Sequence, residues 1–215
     1  MTSNFSNISV EGIGTISSGS YGRVAVEGVG KIKGDIGFEK MDVEGTCTAH
    51  GNLSGGFLDV EGVLKVTGDI KLKRLDIEGI MKTDRHKIYA DYISVQGVLK
   101  NEGEVNADKI DIEGIVNLND MFGDEITINF SHRMSRGFFF SFNIGNKFTA
   151  KMNTANNIEC STLSACNITC HSISATDITL RDHCVVDTIS CNGTLHYDST
   201  CVIRHIEGEC TQIND

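Results

Sequence analysis

The chain has 215 residues, 23 of them glycine, with no proline or tryptophan and a net charge of −10. That length suits one large domain or two small ones, and 40% hydrophobic with 22% charged residues suits a folded chain rather than a disordered one. No run approaches 18 apolar residues, and so acidic a chain is a poor match to nucleic acid, which needs clustered Lys and Arg.

The start, MTSNFSNISV, lacks the basic and apolar stretches of a secretory signal. The expected location is therefore cytoplasmic, with the eight cysteines reduced. From residue 10 a marker recurs: Val10-Glu11-Gly12, Val26-Glu27-Gly28, Val43-Glu44-Gly45, Val60-Glu61-Gly62, Ile77-Glu78-Gly79, Val95-Gln96-Gly97 and Ile112-Glu113-Gly114. The glycines are 16 to 18 residues apart. A second marker follows, in Gly34-Asp35-Ile36, Gly51-Asn52-Leu53, Gly68-Asp69-Ile70 and Gly103-Glu104-Val105. Two units replace its glycine with Arg85 and Asp120, keeping Ile88 and Phe122 nearby.

A period of 17 is too short for helical repeats. Within each unit apolar residues alternate with polar ones, as in Leu58 and Val60 or Ile70 and Leu72. The pattern predicts short strands joined by turns, so that each unit forms one coil of a parallel β-helix. Proline would remove a ladder hydrogen bond from strands paired on both sides, which accounts for its absence.

Residues 1–125 form the expected regular arm, and residues 158–215, with seven of the eight cysteines, the expected second arm. There Ile158, Leu163, Ile168, Ile173 and Ile178 fall five apart, as on successive faces of a coil. Cys166, Cys184 and Cys201 are spaced 18 and 17 apart, which predicts one stacked interior column. About ten coils of 16–18 residues are expected in all. Residues 126–157 break the repeat, with six of the ten phenylalanines, four basic residues and no acid. Within this insertion Arg133, Arg136, Phe138, Phe139, Phe140 and Phe142 suit a loop against an anionic membrane or a partner, while its alternation equally suits a hairpin capping the coil.

Three sets of residues carry groups capable of chemistry. Asp42/Glu44, Asp59/Glu61, Asp76/Glu78 and Asp111/Glu113 form an outward acidic ladder, expected to be solvated and balanced by Lys65, Lys71, Lys73 and Arg74. A uniform ladder lacks the two contrasting carboxylates of glycan cleavage. Cys166, Cys170, His171, His183 and Cys184 depart from zinc spacing and read as buried thiols. His50, His86, His132, His171, His183, His196 and His205 are scattered, and a β-helical acyltransferase is disfavoured by the period. No catalytic, cofactor or metal residue is assigned.

These markers resemble bactofilins, polymer-forming bacterial cytoskeletal proteins. The stretch from Ser172 through Thr176-Asp177-Ile178-Thr179-Leu180 and Asp187-Thr188-Ile189 to Cys201-Val202-Ile203-Arg204-His205-Ile206-Glu207 is similar to the longer, Firmicute-type members. The resemblance covers most of the chain, from which the Cys-rich end and the missing polar tail depart. It implies a right-handed parallel β-helix that polymerises end to end without nucleotide and scaffolds cell-shape or envelope proteins. The implied partners are further copies of the chain, envelope-related proteins and the inner membrane surface, with no cofactor, nucleic acid or small-molecule substrate. On the coil ends, Ile8, Ile13 and Ile16 at one and Ile203 and Ile206 at the other are the expected contacts. The alternative is an adaptor that never polymerises.

Overall fold

Alternating apolar residues bounded by corner residues can bury one side of every strand only if the coils stack, and they do. A computed structural model describes residues 5–129 and 153–214. Arg133, Arg136, His132, Phe138, Phe139, Phe140 and Phe142 lie outside the described residues. The described chain is all β: a right-handed parallel β-helix of about eleven turns.

The first arm contains β1 (Ser6–Val10), β2 (Ile13–Val26), β3 (Val29–Val43), β4 (Thr46–His50), β5 (Leu53–Val60), β6 (Val63–Val66), β7 (Ile70–Ile77), β8 (Ile80–Thr83), β9 (Ile88–Val95), β10 (Val98–Ile112) and β11 (Ile115–Ile128). The second contains β12 (Asn153–Cys166), β13 (Ile168–Arg181), β14 (Val185–Cys191), β15 (Thr194–Tyr197), β16 (Val202–Glu207) and β17 (Thr211–Asn214). Every pairing is parallel. β11 pairs with β12, so one ladder joins the arms across residues 130–152. The solenoid also reaches into the expected insertion: Ile126 and Ile128 are buried in β11, and residues 153–157 belong to β12.

Each first-arm coil has three faces, illustrated by residues 62–78. Face A is β6, face B the start of β7 and face C its end. Interior columns run down each face. On face B, Ile36, Leu53, Ile70, Ile88, Val105, Met121, Ile158, Ile173, Ile189 and Ile206 lie in register. Met121 takes this place in its coil, and Phe122, which the sequence pattern suggested, points outward and is half-buried. Ile158, Leu163 and Ile168 fall on three successive faces, as their five-residue spacing predicts. The β12–β13 register, Asn153 to Ile168, makes that coil 15 residues long, one shorter than expected.

The Glu-Gly glycines are required by close approach rather than by a left-handed backbone. A Cβ on Gly62 would lie 2.0 Å from the carbonyl oxygen of Gly45. Gly12, with no described coil stacked above it, has nothing within 4 Å. The second marker works differently. Its Asp or Asn accepts a backbone N–H from the next coil: Asn52 N donates to Asp35 Oδ1 (2.8 Å), Asp69 N to Asn52 Oδ1 (2.8 Å) and Lys87 N to Asp69 Oδ1 (2.9 Å).

Candidate functional site

Face C carries the acidic ladder in a neutralised form. Asp42, Asp59 and Asp76 stack in register, and on the strand two residues earlier lie Arg23, Lys40, Phe57, Arg74, Tyr92 and Lys109. Arg23 and Lys40 hold Asp42 at 2.9 and 2.7 Å, and Arg74 holds Asp76 at 2.7 Å. Arg74 also lies over the Tyr92 ring, 4.6 Å from its centre. Of the four expected balancing cations only Arg74 plays that part. Lys65 projects from face A and Lys71 from face B, because the corners of the coil separate them from the aspartates of face C. Phe57 stands where a cation would face Asp59, whose carboxyl is raised by burial and then by Asp76 and Asp42. Among the described residues, no three His, Cys, Asp or Glu side chains gather where an ion could sit.

The thiols are packing groups. Cys47, Cys170, Cys184 and Cys191 are buried and the other four are half-buried, all of them free. Burial pushes the Cys47, Cys160, Cys170 and Cys184 thiols up to about 12, leaving little thiolate at neutral pH. The expected column of Cys166, Cys184 and Cys201 needs correction. The column is Asn153, Ile168, Cys184 and Cys201, whereas Cys166 pairs with Arg181 nearer the corner. Spacing misled because Asn167, Asp182 and His183 adopt positive φ at corners and shift the count.

The described histidines are spread along the solenoid. His171 contacts Asp187 at 3.0 Å and His205 contacts Glu207 at 3.1 Å, both on the surface. One cleft of about 360 Å³ lies beside Asp108, Asp124, Glu159 and Cys160, and another of about 300 Å³ beside Tyr92, Asp111 and Glu113. Neither is lined by histidine.

Face A has a different character. Its outward column reads Ile13, Val29, Thr46, Val63, Ile80, Val98 and Ile115. Beside it runs a second column, Thr15, Lys31, Thr48, Lys65, Lys82, Lys100 and Asn117, and along the opposite margin stand the corner glutamates. Among the described residues none of these lysines or glutamates is held in an ion pair. The sequence did not disclose this stripe, because spacing alone does not report which outward residues share a face.

The ends complete the inventory. Ile8 begins the interior column of face C, Ile206 ends that of face B, and Ile203 ends another; all three are half-buried against the core. Ile13 is 91% exposed. Ile16 corrects the expectation, since it is fully buried and offers nothing to a neighbour. Phe5, Val202 and Ile213 are also exposed. Among the described residues there is no helix, so none is long and apolar enough to cross a membrane. In comparisons with known proteins, no family model, curated protein or solved structure matches this chain.

Proposed function

We propose that the chain is a non-enzymatic structural subunit that joins end to end without nucleotide, as its resemblance to bactofilins implies. One observation carries the reading. Of the six large apolar side chains left exposed among the described residues, Phe5 and Ile13 lie at one end of the solenoid and Val202 and Ile213 at the other. Each end also presents strand edges, β1 and β2 or β16 and β17, whose N–H and C=O groups no described coil covers. A second copy stacked there would extend the ladders and the interior columns together. High thiol pKa values and dispersed histidines support a scaffold over a catalyst. Envelope proteins, or the membrane through Arg133, Arg136 and the phenylalanines, are the proposed clients.

Purified chain should pellet without nucleotide or metal. Ile206→Lys should remove most of the pelleted material, because an ammonium would be buried in the joint. Ile13→Lys, at an open position that leaves the fold intact, tests the other end. Pelleting unchanged in both variants would overturn the contact, and a wild-type chain that stays in solution would favour the adaptor reading.

A further inference from the structure

Seen along the solenoid, face A presents three parallel stripes: a corner of glutamates with Gln96 among them, a line of β-branched residues that are aliphatic except for Thr46, and a line of lysines interrupted by Thr48. The middle stripe is unusual for an outward face. Val29 is 51% exposed and Ile13 91%, while Val63, Ile80 and Val98 are half-buried. Like charges in each stripe lie one coil apart, ~4.8 Å, except where Thr48 and Gln96 leave a gap of two coils. Nothing described in the chain neutralises them. The contrast with face C, where aspartates and cations are interleaved and paired, shows that this repeat can satisfy its own charges when they are placed two residues apart.

We propose that face A is a lateral contact between two copies of the chain, side by side and parallel, related by a two-fold axis along the solenoid. The order of the stripes fixes the orientation. Rotation about an axis parallel to the solenoid reverses left and right, so the glutamate stripe of one copy meets the lysine stripe of the other, and aliphatic meets aliphatic. Rotation about an axis across the stripes keeps left and right, so glutamate meets glutamate and lysine meets lysine. Only the parallel pair is complementary, and repulsion excludes the other.

The stripe spans seven coils, about 30 Å, and with its flanks about 15–20 Å in width. The paired faces would bury roughly 1,000 Å² in total, the lower limit for a specific contact. Pairing of single subunits is therefore weak. It strengthens by avidity when several subunits are joined in a row. The charged stripe ends at Lys100, since Asn117, Thr154, Thr169 and Val185 continue the lysine column without charge. The proposal does not depend on the end-to-end reading. Two unjoined subunits would pair in the same way.

The test uses the full chain with one cysteine added at a time. In the parallel pair every residue of the central stripe faces its own copy, so Val98→Cys alone should be cross-linked into a dimer by a short bis-maleimide, above the level given by the native thiols of the parent. In an antiparallel pair centred on Val63, Val98 would face Val29, and only a mixture of Val98→Cys and Val29→Cys would cross-link. That result, or no cross-link above the parent, overturns the proposal. Val98 lies several coils from either end, so end contacts cannot bring two copies of it together and failure of either reading stays distinguishable. A charge exchange provides the second arm. Lys65→Glu/Lys82→Glu and Glu61→Lys/Glu78→Lys should each lose the dimer alone and regain it when mixed. No recovery on mixing also counts against it. The wild-type dissociation constant should rise roughly tenfold between about 50 and 500 mM salt.

Discussion

At the scale of single residues, the glycines have the sharpest physical role. Five Glu-Gly corners and the Gln96-Gly97 corner place a glycine so close to the preceding coil that a Cβ would fall 2.0–2.2 Å from a carbonyl oxygen. Gly62→Ala should therefore cost about 2–4 kcal/mol through forced backbone movement, while Gly12→Ala should stay within about 0.5 kcal/mol, checked by denaturant unfolding. Asp198 supplies a pH-dependent counterpart. Its carboxylate accepts the Thr200 hydroxyl at 2.6 Å, the Asp182 N–H at 2.8 Å and the Thr200 N–H at 2.9 Å, which hold it well below the usual carboxylate range. A depressed folded value stabilises the fold above the unfolded pKa of about 3.9, and that contribution is lost as pH falls toward the folded value. Thermal melts of wild type and Asp198→Ala should thus differ most above about pH 5 and converge between about pH 4 and pH 2.

At the scale of elements, stacking rather than propensity decides what each strand tolerates. The inward position of β10 that its neighbours fill with Leu118 or Val66 holds Asn101 instead, which is buried. It is tolerated because its partners are complete. Its amide donates to the Thr83 hydroxyl and, at 2.8 Å, to the His86 carbonyl, and its oxygen accepts the Gly103 N–H at 2.8 Å. Asn101→Leu would leave Gly103 N–H and His86 C=O without that side chain and should cost about 1–3 kcal/mol in spite of added apolar bulk, read from the urea midpoint. The sequence made the strands, corners and coil period legible, since alternation and the Glu-Gly spacing report directly which residues point in. It did not reveal which outward residues share a face. Lys65 and Asp59 are six residues apart in sequence yet lie on different faces, because the Glu-Gly corner turns the chain between them. The same blindness hid the aliphatic stripe of face A and placed Cys166 in a column it does not occupy, where corner residues with positive φ break the count.

At the scale of the whole molecule, one continuous ladder from β1 to β17 makes the solenoid a rod with two chemically similar ends and three unlike faces. Ile8, Ile203 and Ile206 were legible as end residues because they terminate periodic columns, whereas the burial of Ile16 could be seen only in three dimensions. The proposed scaffolding role requires growth along the solenoid axis. Negative-stain electron microscopy of the purified chain, without nucleotide or metal, tests this most directly. The account predicts unbranched filaments whose axial repeat is about 50 Å per subunit, from about eleven coils at ~4.8 Å each. Particles that remain single short rods at every concentration would contradict it.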